Sequence, residues 1–169
     1  GDLVRVLDAF LERVAEAVMA AGGEVLKFVG DGLLAVFPFE GEAGAAAAGR
    51  AALSAARAAL AGIAALSADP SALAGIEGWR PLRAGFAIHR GDVFFGNVGS
   101  PARLDFTVIG TAVNAASRVE ALTKALGRPI LLTDPVARAI GGPLEDMGVH
   151  PLRGLGEAMR LHAPAEGSR

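Results

Sequence analysis

The sequence predicts an α/β (α+β) sandwich with a largely antiparallel sheet and helices on one face, built on a ferredoxin-like split βαβ plan. Three observations carry that prediction. The chain has 169 residues, 52% of them hydrophobic, which is enough for one globular domain with a substantial core. Helical segments alternate with paired strand runs rather than with strict strand-helix-strand crossovers. Early in the chain, Gly30-Asp31-Gly32 joins two short apolar runs, and Asp-Gly between such runs is a strong hairpin signal.

In chain order, Leu3, Leu7, Phe10, Val14 and Val18 recur at helical spacing with Asp8, Glu12, Arg13 and Glu16 between them, and Gly22-Gly23 supplies the stop. Residues 24–29 and 33–37 are the two strands of the hairpin. Residues 43–66 form a long alanine-rich helix, followed by a loop of Ser, Asp, Pro and Gly over 67–81. Residues 82–89 and 92–98 read as strands around a turn at Arg90-Gly91, and 105–109 as a third short run ended by Gly110. Thr111 is placed to cap a helix to about Leu126, with Ala112, Ala115, Val119, Leu122 and Leu126 as its buried stripe and Gly127 as its stop. A strand over 129–132 leads into Thr133-Asp134-Pro135, a capped helix start with Pro in the first turn. The remainder is two short strands around Arg153-Gly154-Leu155-Gly156.

Bulk properties exclude several function classes. The net charge of −2, with Lys and Arg spread along the chain, gives no basic footprint for nucleic acid or a membrane surface. Absence of Cys rules out disulfides, thiol catalysis and thiolate metal sites, and fits a reducing compartment such as the cytoplasm. The segment 43–66 is broken by Arg50 and Arg57, so it reads as a packed helix rather than a membrane span.

Four residues stand out for chemistry before any family is considered. Asp31 at a hairpin tip, cleared by glycines on both sides, either makes the turn or binds a hard cation also held by substrate phosphates. Lys27, between Val25 and Val29 at strand period, either snorkels at an edge or aims a donor at a ligand. Asn114 and Arg118 stand at i and i+4 and share one helix face away from the apolar stripe. That face is either merely solvated or presents an amide and a guanidinium together to a phosphoryl group.

The blocks GGEVLKFVGDGLLAVF, GFAIHRGDVFFGNVGS and DFTVIGTAVNAASRVE, in this order and at these separations, closely resemble the catalytic domain of class III adenylyl/guanylyl cyclases of the bacterial adenylate cyclase type. The resemblance runs from Gly1 through about Ala163, leaving 164–169 as a tail. It implies conversion of ATP to 3′,5′-cyclic AMP and pyrophosphate at composite sites of a homodimer, with two Mg²⁺ or Mn²⁺ ions per site. Asp31 matches one of two metal-binding carboxylates. Asn114 is implied to orient the ribose, and Arg118 to stabilise charge on the α-phosphate in the transition state. Lys27 matches the base-reading lysine and Thr107 its partner. An ammonium only donates, so it suits adenine N1 and opposes guanine N1, whereas a Thr hydroxyl both donates and accepts and discriminates less sharply. Arg153, in PLRGLGE, lies where the family often has a basic residue near the triphosphate.

One departure from the family pattern bears on function. Family members carry the other metal-binding Asp on a strand ahead of the first helix, in a run like Phe-x-Asp, and this sequence starts at or inside that helix. Asp2 and Asp8 are not substitutes, because one lies at the helix start and the other has a helical setting. The expectation is therefore that the natural protein continues upstream and that regulatory domains lie outside this sequence. The alternatives are a cyclase-like nucleotide-binding or dimerisation module without turnover, and a guanylate cyclase, which Lys27 disfavours.

Overall fold

The computed structural model describes residues 1–69, 71, 75, 76 and 80–166, with the backbone alone for 104–107. Four helices and eight strands alternate along it, and the chain divides into two compact units, Gly1–Ala84 and Gly85–Arg169.

The first unit holds α1 (Asp2–Ala20), β1 (Glu24–Val29), β2 (Gly32–Val36) and α2 (Gly41–Ala68). α1 packs along α2 and against the hairpin. Burial deepens along the predicted apolar stripe of α1, from Leu3 at 81% exposed to Val14 and Val18 at 6%. α2 offers Ala45, Gly49, Leu53, Ala55, Ala56, Ala59, Ile63 and Leu66 to the interior, and these mostly small side chains let two helix backbones come close. By length and composition alone α2 could cross a membrane; in this structure its buried positions belong to the packing of the unit. After α1 the chain reverses at Gly22 and Gly23. A Cβ on Gly23 would lie 2.6 Å from the ring of Phe37, so the aromatic ring occupies the space a side chain would need.

The hairpin forms as expected, with antiparallel pairs from Glu24↔Val36 to Val29↔Gly32 and a register shift between Val25 and Lys27. Its two turn residues are Gly30 and Asp31, not Asp31 and Gly32. Only Gly30 takes positive φ, at 59°, which places glycine at the first central position of the turn.

The second unit is a four-stranded sheet in the order β3-β6-β8-β7, a separate hairpin of β4 and β5, and two helices. β3 (Phe86–Ile88) pairs in parallel with β6 (Ile130–Thr133), while β8 (Ala158–Pro164) lies antiparallel to both β6 and β7 (Leu144–Pro151). β4 (Phe94–Ser100) pairs with β5 (Arg103–Ile109) over seven registered positions. The strands read on either side of Arg90-Gly91 are thus not partners of each other. The tight turn at 101–102 lets β4 close on β5 locally, while β3 reaches β6 through the crossover helix α3 (Thr111–Leu126).

α3 starts at Thr111 as predicted, but its N-cap is Gly110 and no side chain caps it. It ends where Gly127 turns left-handed at φ 65°, with the amides of Gly127 and Arg128 returned to Lys124 and Thr123 carbonyls. Ala115, Val119 and Thr123 form its buried line; Leu122 and Leu126 pack partly buried against the core, and Ala112 is half-buried. Thr123 tolerates burial because its hydroxyl donates to the Glu120 carbonyl at 2.7 Å. Val119, Leu131, Leu152, Leu161 and Ala163 are the centre of the core. Each fully buried Leu contributes about 1.5–3 kcal/mol. α4 (Asp134–Ile140) follows β6 with Pro in its first turn, as the sequence predicts.

Candidate functional site

In the first unit, β1 and its turn present Lys27 and Asp31, both exposed. The register shift that falls between Val25 and Lys27 interrupts strict strand alternation, and Phe28 and Val29 beside them are 59% and 54% exposed. The hairpin therefore carries an ammonium, a carboxylate and uncovered apolar surface on one short piece of backbone. Such a piece suits a ligand with an aromatic and an anionic part.

In the second unit, Asn114 and Arg118 are both exposed on α3, and the residue after each, Ala115 and Val119, is buried at 5% and 0%. The rigid attachment of the buried line to the sheet fixes the direction in which the polar pair points. An amide and a planar guanidinium one turn apart can engage adjacent oxygens of a single ligand. Arg153 is exposed in the turn between β7 and β8, and the buried Leu152 before it anchors the loop. Thr107 stands on β5 opposite Gly96, and its side chain lies outside the described residues.

Around these positions the second unit is held by polar links. Arg128, at the end of α3, bonds the Glu145 carboxylate and the Pro164 carbonyl, so it ties the helix to β7 and β8. His162 Nε2 lies 2.9 Å from Asp134 Oδ1, and Arg138 reaches Asp134 Oδ2 at 2.6 Å. The hydrogen bond to His162, reinforced by Arg138, holds the Asp134 carboxyl below its ordinary pKa. Asp146 is held low in the same way by the Gly148 amide and by Arg160.

Sequence reasoning does not single out His89. Its Nδ1 shares a hydrogen bond of 2.8 Å with Oγ1 of the fully buried Thr133, and burial pushes its pKa down. The available signal was its place at the end of an apolar strand run, where a neutral imidazole can be buried if one ring nitrogen finds a partner.

Among the described residues no group of three or more His, Asp or Glu side chains gathers as a self-contained metal centre. Asp31 fits the other kind of site, in which a hard cation takes one or two carboxylates and completes its shell with substrate phosphates and water.

No protein-family model matches the chain. An adenylate cyclase of Anabaena cylindrica is 37% identical over 142 residues, covering 84% of this chain and 27% of that protein. The chain thus spans about a quarter of that relative's length. The structure of a bacterial light-regulated adenylyl cyclase superposes with a TM-score of 0.77 at 26% identity, over 99% of this chain and 45% of that one. The adenylyl cyclase CyaB from P. aeruginosa shares the fold, with a TM-score of 0.71 at 23% identity over 99% of this chain and 84% of that one. Taken with the mixed α+β architecture and the ordered sequence blocks, these likenesses place the chain in the class III adenylyl/guanylyl cyclase catalytic-domain family.

Proposed function

We propose that the chain is the catalytic domain of an adenylate cyclase that converts ATP to 3′,5′-cyclic AMP and pyrophosphate. In this reaction the ribose 3′-oxygen attacks the α-phosphorus, the 3′-hydroxyl proton leaves, and pyrophosphate departs. The observation that carries the reading is the division of α3 into a buried line through Ala115 and Val119 and an exposed pair, Asn114 and Arg118. A helix fixed on one side by packing presents its polar side with little freedom, which is what transition-state charge stabilisation requires. The identity to the Anabaena cylindrica adenylate cyclase supports the same reading.

Asn114 accepts or donates a hydrogen bond to the ribose and holds its 3′-oxygen toward the phosphorus. Arg118 donates to the α-phosphate oxygens, where negative charge grows as the pentacoordinate arrangement forms. Lys27 donates to adenine N1, and Thr107 accepts from the adenine amino group. Arg153 attracts the triphosphate. Class III cyclases depend on metal ions, and Asp31 would hold one, Mg²⁺ or Mn²⁺, together with the phosphates. When bound, the ions supply positive charge to the triphosphate and lower the pKa of the 3′-hydroxyl.

We place the active form as a homodimer with sites composed from both copies. In support, the β4–β5 hairpin exposes Phe94 at 69% and its cross-strand neighbour Ile109 at 53%. Apolar surface of this kind is unusual on a sheet edge that stays in water. The test is incubation of the purified full-length protein with ATP and either Mg²⁺ or Mn²⁺. Cyclic AMP and pyrophosphate in equal amounts are expected; no product with either ion, from a sample shown to be dimeric, refutes the reading. GTP competition in the same assay separates an adenylate from a guanylate cyclase.

A second reading is a nucleotide-binding or dimerisation module without turnover, for which the exposed hairpin with Lys27 and a single carboxylate, Asp31, would suffice. ATP binding without product formation is its signature.

A further inference from the structure

Between β3 and β4, residues 89–93 pass the first turn of α3 at very short range. A Cβ on Gly91 would lie 2.6 Å from the Cβ of Ala112 and 3.6 Å from its Cα. Ordinary contact between carbon atoms is about 3.5–4.0 Å, so the two segments are about 1 Å closer than any side chain at Gly91 would permit. Ala112 has no torsion that could move its Cβ aside. Gly91 does not take positive φ, so its backbone conformation is open to alanine and only space forbids it. The same two segments meet again one step away: a Cβ on Gly110 would stand 2.9 Å from the Asp92 carbonyl oxygen. Turn and helix start are thus pressed together from both sides.

We infer that Gly91 is a positioning residue for catalysis. Its bare Cα admits Ala112 and seats the first turn of α3, and through that rigid helix it sets where Asn114 and Arg118 are presented. The inference rests on the function proposed above for those two side chains. A methyl at position 91 must displace the start of α3 or the turn by about 1 Å, and a misplacement of that size at a reacting group costs on the order of 10²-fold in rate.

The experiment compares full-length parent, Gly91→Ala and the double variant Gly91→Ala with Ala112→Gly. Gly91→Ala should lower kcat about 10²-fold while KM for ATP moves less than about threefold, because the helix still offers its groups but at the wrong distance. Removing the methyl of Ala112 vacates the contested space, so the double variant should recover most of the lost kcat. Parent-like turnover in Gly91→Ala overturns the inference, as does a loss that the double variant does not recover. If Gly91→Ala fails to fold, a double variant that folds and turns over supports the inference, and one that does not fold overturns it. A parent without cyclase activity refutes the proposed function instead. Amide exchange along α3 then decides the contact: acceleration in Gly91→Ala and its reversal in the double variant uphold it, and unchanged exchange overturns it.

Discussion

Arg118 and Val119 are adjacent in sequence and opposite in exposure, so a matched pair of alanine substitutions separates chemistry from packing. Val119 is 0% exposed at the centre of the core, in one buried cluster with Leu131, Leu152 and Leu161. Val119→Ala removes two methyl groups there, worth about 0.8 kcal/mol each in transfer alone, and the residual cavity brings the loss to roughly 2 kcal/mol. For a chain of this length that lowers the melting temperature by about 4–8 °C. Arg118 is exposed, and Arg118→Ala leaves a good helix former on the surface, so stability should change by less than about 0.5 kcal/mol. Its effect belongs to the rate. Loss of one preorganised donor to a charge that develops in the transition state costs about 10²–10³ in kcat, or about 2.7–4 kcal/mol, with KM little altered. Thermal melting and steady-state cyclic AMP formation on the parent and both variants give the melting temperatures, kcat and KM values needed. A rise in KM with kcat unchanged for Arg118→Ala would make it a ground-state anchor. A fall in its melting temperature comparable to that of Val119→Ala would refute the division of α3 into a packing side and a chemical side.

Other expectations concern the hairpin and the half-buried His89. Lys27→Glu replaces a donor with an acceptor, so selection should move from ATP toward GTP; an unchanged ratio of kcat/KM for the two nucleotides would remove Lys27 from base reading. Asp31→Asn should abolish most metal-dependent turnover without lowering the melting temperature, since the side chain is exposed at a turn whose positive φ is carried by Gly30; activity at the parent level over a Mg²⁺ titration would show that Asp31 holds no ion. The pKa of His89 is pushed below its ordinary 6.5 by burial, so the unfolded chain binds the extra proton first. Stability conferred by the neutral ring is therefore complete above about pH 6.5 and lost as pH falls toward the lowered value. Urea midpoints at pH 7.5 and 5.5 should differ in the parent and differ less in His89→Gln, and equal differences would assign the acid sensitivity to other groups.

Local chemistry made much of this fold legible in the sequence. α3 begins at Thr111 and stops at Gly127 where the pattern places it, because a 3.6-residue period and a left-handed glycine are properties of neighbouring residues. The hairpin of β1 and β2 follows for the same reason, although the Gly30-Asp31 pair, not Asp31-Gly32, makes its turn. Lys27 and Asp31 were legible as candidates on that hairpin, and Asn114 and Arg118 as a pair on one helix face, because strand and helix periods assign faces without knowledge of the partner elements.

Partners across the chain are another matter. Whether β4 pairs with β3 or with β5 depends on competing closures of the same backbone, and only the folded unit shows β3 beside β6 in parallel in one sheet and β4 beside β5 in a separate hairpin. The burial of Thr123 and Thr133, both polar, depends on acceptors and donors brought from the helix itself and from His89. The sequence by itself determined the elements, the faces of the helices and the family likeness, since each is written in spacing along the chain. Tertiary structure alone decided strand order, the burial of Thr133 with His89, and the close approach of Gly91 to Ala112, because a contact between residues far apart in sequence exists only once the chain has closed on itself and has no periodicity to announce it.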